Sequence, residues 1–330
     1  MTSPSSRQLA SAAFATFAGL AVAACGSNGT TTRAATSAPS TTTTALNVTL
    51  PGTGKPRVTI GDKNYTEQFM LGELYRQALV AQGFTVSLNR NIGPTAVSVQ
   101  AVESGRLDLY PEDLQTWNTA VAGDRAGYPG PHAAYEAALR YARKQGLTLL
   151  NPTPFGYTDA IAVTAAYAQQ NDLHSIADLA KVAGKWTLGA PPQFKQRPGG
   201  LTGIESAYSV MPAAFMPLQL GDQYQALDQG TIQAADVNTT DGQLDAGIYT
   251  LLADPKNVFG WGNVVPVVAP KTLDAEGPVF AQTINRVSAL LSPPVMRQLD
   301  AQVDVAHQEP AAVARRFLLD TGLVMPQGPS

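Results

Sequence analysis

The sequence has few of the side chains that usually carry catalysis or hold a metal ion. Its 330 residues contain one cysteine, Cys25, and three histidines, His132, His174 and His307. A single thiol excludes an intramolecular disulfide and a cysteine metal cluster. The histidines are far apart along the chain, and neither a G-x-S-x-G motif nor a phosphate-binding P-loop occurs. We therefore expect no enzyme activity, no metal and no cofactor.

Charged residues are also scarce, at 14% of the chain, against about a quarter in an average protein. The 22 basic and 25 acidic residues leave a net charge of −3, and the basic residues form no cluster. Nucleic acid is therefore not an expected partner. No apolar run after residue 24 is long enough to span a membrane. Hydrophobic residues, at 44%, are sufficient for the cores of a soluble body of two domains.

The first 25 residues resemble a bacterial lipoprotein signal. Arg7 precedes an uncharged, mostly apolar run over 9–24, and small residues stand directly before Cys25. This order of charge, apolar run and small residues is typical of a signal peptide. We expect residues 1–24 to be removed and Cys25 to carry a lipid anchor at the extracytoplasmic face of the membrane, in the cell envelope. The alternatives are an ordinary signal peptide with an incidental cysteine and an uncleaved anchor.

Residues 25–56 are rich in serine and threonine, including four consecutive threonines at 41–44. A segment with so little apolar content is not expected to fold. We interpret it as a tether that holds the folded body away from the bilayer.

From residue 57 onward, strand-like and helix-like patterns alternate. Residues 58–60 predict a strand, followed by a helix with Asn64 or Thr66 as its N-cap, and residues 107–110 predict a short strand that ends before Pro111. Such alternation predicts an α/β fold with mostly parallel sheets and helices on both faces. In such sheets, ligands bind at the carboxyl ends of the strands. The polar loops at these ends are 61–68, 91–96, 110–116, 190–200 and 237–242.

Several motifs in these loops resemble one family of transport proteins. They are Lys63-Asn64-Tyr65-Thr66-Glu67-Gln68, Gly105-Arg106-Leu107-Asp108-Leu109-Tyr110-Pro111-Glu112, Ile176-Ala177-Asp178-Leu179 and Thr239-Thr240-Asp241-Gly242. They are similar, in the same order, to motifs of the substrate-binding proteins of ABC importers for quaternary amines. These amines include glycine betaine, carnitine and choline, and the group is the ProX-like osmoprotectant group. The resemblance extends over about residues 57–320.

The resemblance implies a two-lobed periplasmic-binding-protein-like fold of type II, with a ligand cleft between the lobes. Lobe 1 would comprise 57–153 plus 262–330, and lobe 2 would comprise 154–261. The protein would act as a monomer that closes around a small solute and delivers it to an ABC permease, whose ATPase subunit supplies the energy. An extracytoplasmic sensor that binds without transport is the alternative.

The sequence departs from the family where the resemblance implies a cage of four tyrosines around the quaternary ammonium. These positions align with Asp113, Asp159, Asn238 and, less securely, Gly262. Carboxylates and amides favour hydroxyl or N–H donors, which a fully methylated ammonium lacks. We therefore expect a hydroxyl-rich or otherwise polar solute. The alternative is a cage rebuilt from neighbouring aromatic side chains, namely Tyr65, Tyr110, Tyr157, Phe194 and Trp261.

The residues expected to contact the solute lie in the polar loops or beside them. Thr116 and Gln68 match family positions, and Arg197 lies near a family arginine that binds a carboxylate. The complete set is Lys63, Asn64, Thr66, Gln68, Thr95, Tyr110, Asp113, Thr116, Tyr157, Asp159, Phe194, Arg197, Asn238, Thr240 and Trp261.

Overall fold

The structure is a computed structural model that describes residues 49–124 and 127–326. The predicted signal segment 1–24, Cys25 and the predicted tether up to residue 48 lie outside the described residues. The last part of the tether is attached to the folded body, because the Gly52 N–H donates a hydrogen bond of 2.8 Å to the Gln82 carbonyl. The folded body therefore begins slightly before residue 57.

The strands that the structure describes form two five-stranded sheets. The first sheet has the spatial order β2 (Thr85–Asn89), β1 (Arg57–Gly61), β3 (Leu109–Asp113), β10 (Val264–Val268), β4 (Thr148–Leu149). The second has the order β7 (Ala214–Pro217), β6 (Thr187–Ala190), β8 (Ala234–Asn238), β5 (Asp159–Thr164), β9 (Tyr249–Leu252). The predicted α/β class is confirmed.

In each sheet, four strands run in one direction and one strand runs against them. The reversed strands are β10 and β5, each antiparallel to both of its neighbours. The remaining pairs are parallel. The prediction of mostly parallel sheets therefore holds for strand direction but not for pairing, since four of the eight described strand pairs are antiparallel. The reversed strands were not predicted. Each is the first strand after the chain has crossed from one sheet to the other.

The strand β3 does not stop before Pro111, as the sequence pattern predicted. It continues through Pro111 to Asp113, and Pro111 faces Pro266 of β10 in the antiparallel register. Proline normally breaks a central strand because it removes a ladder donor. Two facing prolines avoid this cost, because opposite residues in every second antiparallel pair exchange no N–H bonds. The strand therefore delivers Glu112 and Asp113 to the end of the sheet.

Helices lie between most of the strands. The first begins with Tyr65 at the cap position, without the side-chain cap expected from Asn64 or Thr66. The prolines at the starts of three C-terminal helices occupy first-turn positions, where a missing N–H costs no helical hydrogen bond. The α-helices are α1 (Thr66–Ala81), α2 (Thr95–Glu103), α3 (Leu114–Thr116), α4 (Pro131–Lys144), α5 (Ala165–Asn171), α6 (Leu201–Tyr208), α7 (Asp222–Asp228), α8 (Thr272–Glu276), α9 (Pro278–Leu290), α10 (Pro293–Asp304) and α11 (Pro310–Asp320).

Shorter helical turns complete the secondary structure. A π-helical turn, Trp117–Val121, extends α3. The motif at 176–179 lies in a 3₁₀ helix, Ile176–Val182. Two further 3₁₀ turns, Pro192–Lys195 and Gly242–Ala246, follow β6 and β8 at the ends of the second sheet.

Both sheets are covered on both faces. In the first sheet, successive valines of β10 face opposite cores. Val264 and Val268 face a core built with α1, α9, α10 and α11. Val265 and Val267 face the opposite core, which includes α2 and α4. A strand that is buried on both sides has a continuous apolar sequence rather than an alternating one, and β10 is an example. The second sheet likewise separates two cores.

Candidate functional site

The polar loops predicted to bind the solute come after parallel strands. In each sheet, one of these strands ends beside the residue where the reversed strand begins. In the register, Asp159 at the start of β5 pairs with Asn238 at the end of β8. Val264 at the start of β10 pairs with Asp113 at the end of β3. A reversed strand therefore places its preceding residues, such as Tyr157, beside the loops that follow the parallel strands.

Two predicted residues beside the first sheet, Lys63 and Thr95, form a network with Glu112. The Lys63 ammonium donates to both carboxylate oxygens of Glu112 at 2.6 Å and to the Thr95 hydroxyl at 2.9 Å. Glu112 is fully buried. Burial and the neighbouring Asp113 raise the pKa of Glu112 to about 7, although Lys63 lowers it. Lys63 and Thr95 therefore compensate a buried carboxyl group.

The neighbouring predicted residues have mainly supporting contacts. Gln68 is buried, donates to the Pro111 carbonyl at 3.1 Å and accepts from the Lys63 N–H. Asp113 accepts the Thr116 N–H at 2.6 Å, which caps α3, and burial raises the pKa of this carboxyl group. Tyr110 is fully buried in the core, although sequence analysis placed it at the solute.

In the second sheet, a predicted arginine is paired with a predicted aspartate. Arg197 forms an ion pair with Asp159, and its guanidinium carbon lies 5.4 Å from the centre of the Phe194 ring. Phe194 is 1% exposed, so its ring belongs to the core rather than to an open surface. Asp236 is buried, and its Oδ1 receives no hydrogen bond from any described residue. Burial, reinforced by Asp159, raises the pKa of Asp236, while Arg197 lowers it.

The raised pKa of Asp236 predicts how stability depends on pH. A raised folded-state pKa keeps a proton bound that the unfolded chain loses, so the associated stability is present at low pH and is lost as pH rises. We expect the unfolding free energy to fall between about pH 5 and about pH 8, and to fall less steeply in Asp236→Asn, by up to about 1.4 kcal/mol per pH unit. Urea unfolding at several pH values measures this. Equal slopes in the two proteins would contradict the assignment.

A cavity of about 430 Å³ lies where residues associated with the two sheets meet. Tyr65, which precedes α1, and Tyr157, which precedes β5, stack with ring centres 5.1 Å apart and planes inclined by 21°. The Thr240 hydroxyl, beyond β8, donates to the Glu67 carboxylate of α1 at 3.0 Å, which links the two parts directly. We call this the junction cavity; it is lined by Tyr65, Thr66, Glu67, Tyr157, Leu220, Gly221, Gln223, Tyr224, Asn238, Thr240, Asp241, Gln243, Asp300 and Asp304.

The junction cavity contains four of the predicted residues, Thr66, Tyr157, Asn238 and Thr240. Asn64 is exposed outside it, and the other predicted residues lie in the networks described above or at the crossing segments. The acidic lining, namely Glu67, Asp241, Asp300 and Asp304, is absent from the predicted set. The signal that could have been used is the spacing of Asp300 and Asp304, which places both carboxylates on one helix face.

The two segments that cross between the sheets pair with each other beside this cavity. The Tyr157 N–H donates to the Gly262 carbonyl at 2.9 Å. A Cβ atom at Gly262 would lie 2.0 Å from the Tyr157 carbonyl oxygen, so the position has no space for a side chain. Its neighbour Trp261 is partly buried against the first-sheet core and donates its indole N–H to the Tyr128 carbonyl at 2.9 Å.

We therefore expect Gly262→Ala to displace Tyr157 and to weaken solute binding about tenfold, with a lower melting temperature. The added methyl group would meet main-chain atoms, which cannot turn away as a flexible side chain can. Gly127→Ala is the matched control, because a Cβ atom there meets nothing within 4 Å. Calorimetric titration of both variants gives the comparison, and equal affinities would contradict the close approach.

The helices of the described ranges include none that is both long and apolar enough to cross a membrane. Among the same residues, no cluster of histidine, cysteine or acidic side chains has the arrangement of a metal site.

Comparison with known proteins assigns a family to this architecture. The model of the substrate-binding domain of the ABC-type glycine betaine transport system matches residues 56–320. The glycine-betaine-binding protein of Pseudomonas aeruginosa is 30% identical over 277 residues, which are 80% of this chain and 88% of that protein. The glycine betaine-binding protein YehZ of Escherichia coli (strain K12) is 30% identical over 289 residues, 83% of this chain and 94% of that one.

Solved structures agree with this result. A glycine betaine/carnitine/choline ABC transporter structure superimposes with a TM-score of 0.76 at 24% identity, over 81% of this chain and 99% of the other. The structure of apo YehZ from Escherichia coli gives a TM-score of 0.71 at 30% identity, over 81% and 99% of the two chains. These similarities confirm the predicted two-lobed periplasmic-binding-protein-like fold.

Proposed function

Because this chain belongs to the family of substrate-binding domains of ABC-type glycine betaine transport systems, we propose that it binds a small polar solute between its two lobes. It is the substrate-binding component of a betaine-type ABC importer. In the proposed cycle, the lobes close on the solute because it contacts both of them and stabilises the closed state. The loaded protein then docks on the permease, and the ATPase subunit drives transport.

The observation that carries this proposal is the junction cavity. Its lining combines residues that precede or follow strands of both sheets, including Tyr65 and Glu67 on one side and Asn238 and Asp241 on the other. A cavity of about 430 Å³ is within the usual range for a small-molecule site.

We assign 57–153 plus 262–330 to lobe 1 and 154–261 to lobe 2. The order of the strands supports this division, because β1 to β4 and β10 form one sheet while β5 to β9 form the other. The paired segments at Tyr157 and Gly262 would act as the hinge, since each connects one sheet to the other.

The proposed solute donates hydrogen bonds, as a hydroxyl-rich compound does, instead of presenting only methyl groups. The support is that Asp113, Asp159 and Asn238 align with the family's tyrosines, and of these three Asn238 lines the junction cavity. A quaternary amine in a rebuilt cage is the second candidate, and the stacked rings of Tyr65 and Tyr157 favour it. The core positions of Tyr110 and Phe194 do not favour it.

A thermal-shift screen of betaines, polyols, sugars and phenolic glycosides tests the proposal. A solute that binds only the folded state stabilises it by about 2.7 kcal/mol at 100 times its dissociation constant. We expect one of these classes to raise the melting temperature. A chain that none of these classes stabilises would contradict both the hydroxyl-rich solute and the quaternary amine. Uptake of the identified solute by cells with and without this protein then separates an importer from a sensor.

We also propose that Cys25 is acylated and holds the protein at the extracytoplasmic face of the membrane. The support is the sequence before it, an apolar run that ends in small residues. We expect Cys25→Ser to lose incorporation of radiolabelled palmitate and to leave the membrane fraction when it is expressed in bacteria. A membrane-bound, labelled serine variant would contradict the anchor, and a Ser27→Ala variant is the control.

A further inference from the structure

The junction cavity has an unusual combination of rings and charges. Three tyrosines line it, namely Tyr65, Tyr157 and Tyr224, together with the carboxyl groups of Glu67, Asp241, Asp300 and Asp304. No lysine, arginine or histidine is among its lining residues. Arg297 of α10 lies nearby, but its guanidinium donates to the Thr239 carbonyl. A positively charged guest would stabilise the ionised form of these carboxyl groups, which no cationic side chain of the lining does.

Two of the carboxyl groups are buried with a free acceptor. Glu67 is 2% exposed and Asp300 is 3% exposed. Glu67 Oε2 accepts from Thr240, but Glu67 Oε1 and Asp300 Oδ1 receive no hydrogen bond from any described residue. A buried acceptor without a donor is destabilising, so such groups in native proteins usually have a hydrogen-bond partner. The cavity lining therefore includes two buried carboxyl groups, each with one oxygen that has no donor among the described residues.

The other two carboxyl groups already have partners and define the edge of the cavity. Asp241 accepts from the Tyr224 hydroxyl at 2.8 Å, and Asp304 accepts from the Thr66 hydroxyl at 2.6 Å. These bonds fix the carboxyl groups in place but leave each with acceptor capacity.

On the basis of the proposed function, we infer that the transported solute is an organic cation that carries at least one N–H group. Its nitrogen lies in the junction cavity, where it donates to Glu67 and Asp300 beside the rings of Tyr65, Tyr157 and Tyr224. The rings attract any ammonium by the cation–π effect, with or without an N–H. The carboxyl acceptors distinguish an ammonium with an N–H from a fully methylated one, because the methylated group cannot donate to them.

Protonation of the cavity gives the inference a second measurable consequence. Burial raises the pKa of Glu67 and of Asp300 well above their usual values. The titratable groups around Glu67 add to this effect, namely Asp113 and Asp241, while Asp300 is raised by Glu67, Asp241 and Asp304. A bound cation favours the ionised carboxylate, so its binding should release protons. A neutral solute has no such effect.

Two matched probes test the inference, N,N-dimethylethanolamine and choline. They differ by one methyl group in place of the N–H, and both are cations near neutral pH. We expect calorimetric titration of the full chain to show that dimethylethanolamine binds about tenfold more tightly than choline and far more tightly than glycerol. Titration in buffers of different ionisation enthalpy should show proton release with dimethylethanolamine.

Substitutions test whether the affinity and the proton release depend on the carboxyl groups of the junction cavity. Glu67→Gln keeps the size of the side chain but removes its charge, and should reduce dimethylethanolamine affinity at least about tenfold and lower the proton release. Asp304→Asn, at the exposed edge, is the second variant in case the buried substitution prevents folding. Glu205→Gln, an exposed change on α6, is the control and should bind like the natural chain.

The outcomes separate this inference from the proposed function. Choline that binds as tightly as dimethylethanolamine, or glycerol that binds better than either, would overturn the N–H cation and leave a solute-binding protein. Unchanged affinity in both Glu67→Gln and Asp304→Asn would overturn the site. If neither these probes nor the solutes of the thermal-shift screen bind, both the inference and the proposed function fail.

Discussion

A Tyr157→Ala variant is expected to bind the transported solute about 100-fold more weakly than the natural chain while it remains folded. Tyr157 stacks on Tyr65, lines the junction cavity and belongs to the segment that crosses between the sheets. Removal of its ring opens the wall of the cavity and frees the Tyr65 ring. Calorimetric titration with the solute identified by thermal shift measures the loss.

Two control variants make this result specific. Tyr157→Phe keeps the ring and should retain affinity within a fewfold of the natural chain. Tyr167→Ala removes a partly buried ring of α5 that lies outside the cavity, and should lower stability without loss of binding. If Tyr157→Ala bound as well as Tyr167→Ala does, the cavity would not be the solute site.

The second large effect concerns stability. A Lys63→Met variant is expected to lower the free energy of unfolding by about 3 kcal/mol. The side chain of Lys63 is 11% exposed and that of Glu112 is 0% exposed, so the pair is almost fully removed from water. Loss of the lysine leaves a buried carboxyl group next to Asp113 without its cation. Urea unfolding near neutral pH measures the difference.

A double variant, Lys63→Met with Glu112→Met, distinguishes the cause. Replacement of both partners by apolar side chains removes the unpaired group, so most of the lost stability should return. If Lys63→Met lowers the free energy of unfolding by less than about 1 kcal/mol, the Lys63–Glu112 pair is instead hydrated like a surface salt bridge.

Much of the fold could be predicted from local patterns, because strands, helices and their order depend on nearby residues. The apolar run of β10 and the prolines at the starts of α10 and α11 are examples. The reversed direction of β5 and β10 could not be predicted, since it is decided by crossings between sheets. Pro111 was misread because its tolerance depends on Pro266, which lies 155 positions later and faces it only in the folded sheet.

The site was less predictable than the fold. The strand-end rule identified the loops that contain Thr66, Asn238 and Thr240, and these do line the junction cavity. It could not indicate which side chains in those loops turn inward to support the protein, as Gln68 and Tyr110 do. The acidic side of the cavity comes partly from α10, which packs against the turn Gly242–Ala246 only in the tertiary structure. The Gly242 position shows how closely they approach, because a Cβ atom there would lie 2.5 Å from the Ala301 nitrogen.

A crystal structure of the chain with its bound solute would test most directly where the ligand is held. We expect density for the solute in the junction cavity, in contact with Tyr157 and Glu67 and with the loop that follows β8. A solute bound to residues of one sheet alone, or on a surface away from Tyr65 and Tyr157, would contradict the account.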